Sequence, residues 1–162
     1  MRASDLQTSL PMVGRNTTAL EAARVIAADD LAGLVIADES GAPSAVVSAI
    51  DVLGLLVPGY VVDDMALAGV FDEAATEEIW AKAGQSTIGA LIDDDRVHIY
   101  ELLRVDADDT ILEVAARMAN ARAQIALIKG SRGHDAQFVT LSALMDAILT
   151  FCAPSGSAQA DQ

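Results

Sequence analysis

Cysteine is almost absent from the sequence. Cys152 is the only cysteine among 162 residues, so no disulfide can form within the chain. A zinc site would have to combine His98 and His134 with carboxylates at spacings that are not typical of zinc proteins. We therefore expect neither a structural metal nor a disulfide framework.

Basic residues are also few. Ten Lys and Arg residues stand against 24 Asp and Glu residues, and the formal net charge is −14. The ten are scattered instead of forming a basic patch, so nucleic acid is excluded as a partner. Because the same negative field opposes any ligand that carries phosphate, a nucleotide site needs a local basic side chain or backbone amides.

Long apolar segments are missing as well. No run reaches the roughly 18 residues that cross a bilayer, and the first residues include Asp5 and no stretch typical of a signal peptide. We expect a cytoplasmic protein with no membrane insertion. Apolar residues still make up 52% of the chain, enough for one compact domain or two subdomains in close contact, burying about 70% of the unfolded surface.

Motifs of catalysis are missing too. The sequence has no nucleophile next to a base, no glycine-rich phosphate loop and no histidine pair at metal-binding spacing. The run of Asp93, Asp94 and Asp95 lacks the alternating ligands of a calcium loop and is interpreted as a solvated turn. An enzyme is therefore the least favoured function.

The sequence does contain an internal repeat. Aligned with itself at an offset of 92 residues, without a gap, the chain matches along most of a structural unit. The identical pairs include Thr18 and Thr110, Leu20 and Leu112, Glu21 and Glu113, Ala23 and Ala115, Ala27 and Ala119, Ile36 and Ile128, Gly41 and Gly133, and Val47 and Val139. Two copies of one unit are implied.

Each copy begins with a short apolar strand, at residues 12–13 and 102–105, and a helix. Threonine followed by glutamate three residues later, as in Thr18 and Thr110, has the spacing of a capping box and predicts a helix start. The shared apolar positions predict the helix faces that pack on a sheet. These faces are Leu20, Ala23 and Ala27 in the first copy, and Leu112, Ala115 and Ala119 in the second.

A hairpin and a second helix complete each copy. Residues 34–37 and 125–128 are apolar runs that lead into a polar turn with glycine, and a second strand is predicted after each turn. Ser48 and Thr140 then occupy N-cap positions of a second helix. The predicted fold class is α/β (α+β), with two tandem β-α-β-β-α repeats packed with pseudo-twofold symmetry.

These patterns divide the chain into four parts. They are a first repeat at residues 1–58, a helical insert at 59–86, a second repeat at 87–152 and a tail at 153–162. The insert is predicted to be ordered, with Trp80 as a buried anchor between helices. The tail is rich in Ser, Gly, Ala and Gln, and we expect it to be disordered.

The order of elements resembles the CBS domain family, named for cystathionine β-synthase. The likeness spans nearly the whole chain and is carried most clearly by residues 45–51, with Ser48 where a strand meets a helix and Asp51 three residues later. Ala45 stands where the family usually has glycine. The resemblance implies a homodimer and no obligatory cofactor. It also implies a regulatory ligand, AMP, ADP, ATP or S-adenosylmethionine, between the repeats, with Asp51 on the ribose.

The two candidate sites are unequal. A serine N-cap leaves amides of the first helical turn pointing outward, and a carboxylate one turn later can accept hydrogen bonds from ribose hydroxyls. The second copy has Asp106, Ala107 and Asp108 after its strand, and Ala143 in place of Asp51. We therefore predict one working site on the first repeat. Its candidate residues are Ser48, Asp51, Gly14, Arg15, Asn16, Ala45 and, from the second copy, Thr140.

Two functions remain open. The first is a regulatory module that senses an adenine nucleotide or related adenosyl compound and acts in trans on an enzyme or a transporter. The alternative is a ligand-free dimerisation or protein-interaction scaffold with degenerate nucleotide sites. The substituted glycine, the missing second acid and the negative charge favour the alternative, and a thermal-shift measurement with these ligands separates the two.

Overall fold

Two small sheets, each covered by helices, form the framework of residues 1–153, which are the residues that the computed structural model describes. Except for Ala153, the predicted tail lies outside this range. A 3₁₀ helix spans Ala3–Leu6, and the first half then contains β1 (Met12–Val13), α1 (Ala19–Asp29), β2 (Gly33–Ala37), β3 (Pro43–Ser48) and α2 (Ala49–Leu55). This order confirms the predicted strand, helix, strand, strand, helix unit.

The insert is helical, as predicted. It contains α3 (Gly59–Asp63), a 3₁₀ helix at Met65–Gly69 and α4 (Glu73–Ala83), and it is followed by α5 (Ile88–Asp93). The predicted burial of Trp80 is wrong, because its side chain is 54% exposed. No residue of α4 is buried, so this helix has no core face in which an aromatic anchor could be placed.

The second half repeats the first. It contains β4 (Tyr100–Glu101), β5 (Leu103–Val105), α6 (Ile111–Ala121), β6 (Ile125–Ile128), a 3₁₀ helix at Gly133–Asp135, β7 (Phe138–Thr140) and α7 (Leu141–Cys152). Strands β1 to β4 form one sheet in that order, and β5 to β7 form the other. Of the helices in the described residues, none is long and apolar enough to cross a membrane.

The two halves share one strand register at the offset of 92 residues. Gly33 pairs with Ser48, and the equivalent Ile125 pairs with Thr140. The parallel pairing of Val13 with Ile36 recurs as Val105 with Ile128. The repeat read from the sequence is therefore a repeat of backbone hydrogen bonding and confirms the pseudo-twofold arrangement.

Both predicted capping boxes are formed. The Thr18 hydroxyl accepts a hydrogen bond from the Glu21 N–H at 3.2 Å, and the Glu21 carboxylate accepts from the Thr18 N–H at 2.9 Å. Thr110 and Glu113 make the same pair of bonds. These reciprocal bonds satisfy two backbone donors at each helix start, which fixes where α1 and α6 begin.

The predicted sheet-facing surfaces of α1 and α6 are only partly right, because Ala23 and Ala115 pack against the cores but the leucines do not. Leu112 is 79% exposed and Leu20 is 37% exposed. The buried positions of α6 are Ile111, Val114 and Met118, and those of α1 are Ala19 and Ala22. The core positions differ in residue type between the copies, so a search for identical pairs passed over them and selected the outer face instead.

The halves exchange their leading segments. The residues before β1 bind the second half, where the Ala3 N–H donates to the Asp109 carbonyl and Thr8 bridges to Phe138. In return, α5 contributes Ile88 to the core of the first half, and β4 pairs with β3. The predicted boundary at residue 86 was drawn from the sequence repeat. In the structure, segments on either side of this boundary pack against the other half.

A central core joins the two sheets. It combines Val35 and Val46 of the first half with residues of the second half and of the exchanged segments, and its second-half members are Leu102, Ile125, Leu127, Ala136 and Phe138. Phe138 is fully buried. Each sheet also has its own core beneath its helices. Because apolar surface of both sheets is buried at the shared core, the halves hold each other in place.

Candidate functional site

Two clefts lie at equivalent positions between the halves. The Ser48 cleft has a volume of about 300 Å³ and is lined by Val46, Ser48, Ile50, Tyr100, Glu101 and residues 121–125. The Thr140 cleft has a volume of about 540 Å³ and is lined by Thr8, Leu10, residues 29–33, Gln124, Ile125, residues 140–142 and Met145. In both, the start of a second helix faces the turn after a first helix of the other half, as the pseudo-twofold relation requires.

The Ser48 cleft is built on the N-terminus of α2. The Ser48 hydroxyl accepts a hydrogen bond from the Asp51 N–H at 3.1 Å and donates to the Asp51 carboxylate. The Ala49 N–H donates to the Ala32 carbonyl. Two amides predicted to point outward are therefore already bonded within the chain. Asp51 itself does not line the cleft, and its carboxylate is half-buried against Ser48.

Arg122 is the basic side chain of the Ser48 cleft, the kind of group that a phosphate-bearing ligand needs in so acidic a protein. It is the left-handed C-cap residue of α6, with φ of 51°, and its exposed side chain lines the Ser48 cleft. It forms no ion pair with any carboxylate within residues 1–153. A guanidinium in this position can bind a phosphate or carboxylate group of a ligand.

Tyr100 adds an aromatic surface to the same cleft. The residue lies in β4, is 47% exposed, and its ring meets His98 edge to face with centroids 4.5 Å apart. A partly exposed ring of this kind can stack on a planar base. Neither Tyr100 nor Arg122 was predicted from the sequence, since they are 52 and 74 residues from Ser48. The pairing of β4 with β3 brings Tyr100 beside Ser48, and the turn after α6 brings Arg122 there.

The Thr140 cleft is acidic, whereas the Ser48 cleft combines Arg122 with one carboxylate, Glu101. Asp30 occupies the position equivalent to Arg122, with the same left-handed φ of 51°, and Asp29 precedes it. Thr140 is used as a helix cap that accepts from the Ala143 N–H at 3.2 Å. An anionic ligand in this cleft meets two carboxylates and no basic residue among its lining residues. The two sites therefore also differ at the C-terminal ends of α1 and α6, where one has Asp30 and the other Arg122.

The structure does not bring Gly14, Arg15 and Asn16 to Ser48. Ser48 pairs with Gly33 at the start of β2, whereas β1 ends opposite Ile36. The loop after β1 therefore lies at the opposite end of the strands, about 10 Å further along the strand direction at 3.3 Å per residue.

Arg15 is engaged elsewhere. Its guanidinium donates to the Asp93 carboxylate at 2.7 Å and to the Gly89 carbonyl at 3.2 Å. The cavity that it lines with Gly14 and Asn16 also holds Glu21, Asp38 and Glu39. Ala45 lines a smaller cavity beside Arg15.

Two carboxylates of this loop cavity are held ionised. Hydrogen bonds from the Thr18 backbone and hydroxyl lower the pKa of Glu21. Bonds from the Ser40 hydroxyl and the Ala42 N–H lower the pKa of Asp38. The loop cavity is therefore anionic at neutral pH and unsuited to phosphate.

Other candidate ligands do not gather into a metal site. Within residues 1–153, no group of three or more His, Cys, Asp or Glu residues is placed to hold a metal ion. In the run at residues 93–95, Asp93 forms the ion pair with Arg15. His134 lies exposed in the 3₁₀ helix of the second hairpin.

Comparison with known proteins identifies the family. The model of the CBS domain family matches residues 3–58. A CBS domain-containing protein of unknown function from Kribbella flavida is 32% identical, with a TM-score of 0.73, over 91% of this chain and 99% of its own. No curated protein matches the sequence.

More distant solved structures share the fold. CBSX2 in complex with AMP is 18% identical, with a TM-score of 0.60, over 93% of this chain and 98% of its own. A CBS domain pair in complex with 5′-methylthioadenosine and S-adenosyl-L-methionine is 13% identical, with a TM-score of 0.60 and the same two coverages. Together with the duplicated fold and the match to the Kribbella flavida protein, these findings show that the chain belongs to the CBS domain family as a pair of CBS repeats.

Proposed function

We propose that this chain is a regulatory module that binds an adenine nucleotide in the Ser48 cleft and acts in trans on another protein. The observation that carries the proposal is the placement of Arg122 opposite Ser48 in a cleft that also holds Tyr100. A phosphate on Arg122, a base near Tyr100 and a ribose near Ser48 use the three kinds of group that line the cleft. Asp51 acts through the Ser48 hydroxyl, which donates to its carboxylate. That relatives bind AMP or S-adenosylmethionine supports the ligand class.

Charge favours a phosphate-bearing ligand over S-adenosylmethionine in this cleft. The sulfonium of S-adenosylmethionine is a cation, which Arg122 repels, whereas the phosphate of a nucleotide is attracted. The Thr140 cleft, with Asp29 and Asp30, repels phosphate. We therefore propose one nucleotide per chain. We further propose that the ligand is a signal and not a substrate, because the Ser48 hydroxyl and the Asp51 carboxylate are bonded to each other as a helix cap.

Isothermal titration calorimetry with AMP, ADP, ATP and S-adenosylmethionine tests the proposal. We expect a nucleotide to bind with a stoichiometry of one per chain, and Asp51→Ala to abolish or strongly reduce binding. An Asp146→Asn variant, on the exposed surface of α7, is the matched control and should bind as the unaltered protein does. Two equivalent nucleotides per chain, or full binding by Asp51→Ala, would contradict this assignment.

A homodimer is the second proposal, and it is also the central element of the scaffold alternative. Its basis is an exposed apolar face on α6 and α7, formed by Leu112 (79% exposed), Met145 (53%), Leu149 (67%) and Phe151 (65%). Leu20 and Leu53 occupy the equivalent positions of Leu112 and Met145 on α1 and α2. These two positions are apolar in both repeats although their side chains enter neither core. Burial against a second chain explains this pattern.

Sedimentation velocity distinguishes these functions. The unaltered protein should sediment as a dimer and Leu112→Ser/Met145→Ser as a monomer, with its circular dichroism spectrum retained. If the protein dimerises but none of the four ligands changes its melting temperature, the scaffold function replaces the sensor. A monomer at all concentrations would remove the dimer from both functions.

A further inference from the structure

The insert presents a concentration of exposed apolar side chains. Five large ones lie within 21 residues, namely Tyr60 (52% exposed), Val62 (56%), Met65 (73%), Val70 (76%) and Trp80 (54%). We call these side chains, together with Glu73 and Glu77, the insert surface. Apolar groups scattered singly over a protein need no explanation, but a concentration of them in one short segment favours an interaction site.

The insert surface is an ordered platform. At one end Val61 is buried, with 8% exposure. At the other end the Leu20 N–H donates to the Gly84 carbonyl at 3.1 Å, and a Cβ placed on Gly84 would lie 2.9 Å from the Leu20 Cβ. This close approach of α1 fixes the end of α4. The two ends of the insert are therefore anchored, and the exposed side chains lie between them.

Acidic and aromatic groups share one side of α4. Glu73, Glu77 and Trp80 follow the i, i+4, i+7 spacing of a single helix face, and all three are exposed. They extend over about 10 Å at 1.5 Å per residue. Near the start of this helix, the rings of Tyr60 and Phe71 meet edge to face, with centroids 6.5 Å apart.

The charge of the insert indicates what covers it. Residues 59–86 contain six carboxylates and one basic residue, Lys82. The carboxylates are Asp63, Asp64, Asp72, Glu73, Glu77 and Glu78. Two copies of this surface brought face to face would place like charges together, which is unfavourable. A segment that combines apolar residues with Lys or Arg satisfies both components, and an arginine can also stack on the Trp80 ring.

We infer that the insert surface binds a basic amphipathic helix of a partner protein. A helix with apolar residues at i, i+3, i+4 and i+7 can cover the apolar side chains of the insert surface. Arginines that flank those residues can pair with its carboxylates. The inference goes beyond nucleotide binding and does not require it. The location nevertheless suits an output site, because α2 (Ala49–Leu55) follows directly on Ser48 and α3 begins at Gly59, one short helix from the ligand cleft.

The test measures the fluorescence emission of Trp80, which is the only tryptophan in the chain. The full chain, without nucleotide, is titrated with an 18-residue peptide of Leu, Ala and Arg in amphipathic order. The controls are a scrambled peptide of the same composition and a peptide with Glu in place of Arg. We expect the ordered peptide to shift the Trp80 emission to shorter wavelength and to bind at least about tenfold more tightly than either control.

A matched pair of variants separates local from global charge. Glu73→Gln/Glu77→Gln removes two charges from the insert surface, and Asp108→Asn/Asp146→Asn removes two exposed charges elsewhere. The first pair should weaken the ordered peptide about fivefold and the second less than twofold.

Three results would each overturn the inference. One is equal binding of the ordered and scrambled peptides. Another is equal weakening by the two double variants, which would indicate attraction by net charge alone. The third is an emission shift of Trp80 that depends on protein concentration and disappears in the monomeric Leu112→Ser/Met145→Ser variant, since a second copy would then cover the surface.

Discussion

Exchanging the charges at the two equivalent helix ends should exchange the phosphate preference of the two clefts. Arg122 and Asp30 have the same backbone conformation, with φ of 51°, at positions related by the repeat. Arg122→Asn removes the cation and keeps a residue that tolerates the left-handed region. Asp30→Arg places a cation in the Thr140 cleft. The backbone there accepts arginine, since Arg122 has the same conformation at the equivalent position.

The magnitude follows from the exposure of Arg122. Two unit charges 4 Å apart attract by about 1 kcal/mol in water and about 4 kcal/mol in a partly shielded site. Because Arg122 is exposed, a value of about 1 to 2 kcal/mol applies, which corresponds to a loss of AMP affinity of about 5- to 30-fold. Adenosine, which has the same base and ribose without phosphate, should lose less than about twofold.

Calorimetry at low and moderate salt measures both effects. Arg24→Gln, which removes an exposed charge from α1, is the control and should leave AMP binding unchanged. Asp30→Arg should add a second, weaker AMP site. The reasoning is refuted if Arg122→Asn binds AMP as tightly as the unaltered protein, or if it loses adenosine and AMP equally. Absence of AMP binding by the unaltered protein would instead refute the proposed ligand.

Three further predictions concern the fold and are measured by chemical and thermal denaturation. Phe138→Ala should lower the free energy of unfolding by about 3 to 5 kcal/mol, because this side chain is fully buried where the two sheets meet; a loss below about 1 kcal/mol would contradict that packing. Gly33→Ala should destabilise the protein, since its Cβ would lie 2.8 Å from the Val47 carbonyl oxygen, whereas Gly54→Ala, with open space around it, should not. Hydrogen bonds from the Thr110 backbone and hydroxyl lower the pKa of Glu113 below its ordinary 4.5, so its contribution is present above that pH and is lost as the pH falls through the lowered pKa. Glu113→Gln should therefore be less stable at pH 7 and lose less stability on acidification, and an unchanged acid dependence would argue against the capping box.

The amino-acid sequence determined the local structure and its duplication. Capping boxes, apolar runs and polar turns depend on residues within a few positions of one another, so Thr18, Thr110, Ser48 and Thr140 marked the helix starts correctly. The offset of 92 residues then related the strand pairs of one half to those of the other. The capping motifs and the repeat can both be recognised in a linear sequence. The motifs involve neighbouring residues, and the repeat keeps identical residues at a constant offset.

Only the tertiary structure decided which distant residues meet. The antiparallel pairing of β3 with β2 placed Ser48 at the end of the strands away from Arg15, and the exchange of β4 placed Tyr100 beside Ser48. The turn after α6 placed Arg122 in the same cleft. The exposure of Trp80 and Leu112 was likewise decided by what each helix packs against, which periodicity does not reveal. Contacts between separate elements are fixed by the packing of whole sheets, and this is why the site had to be seen in three dimensions.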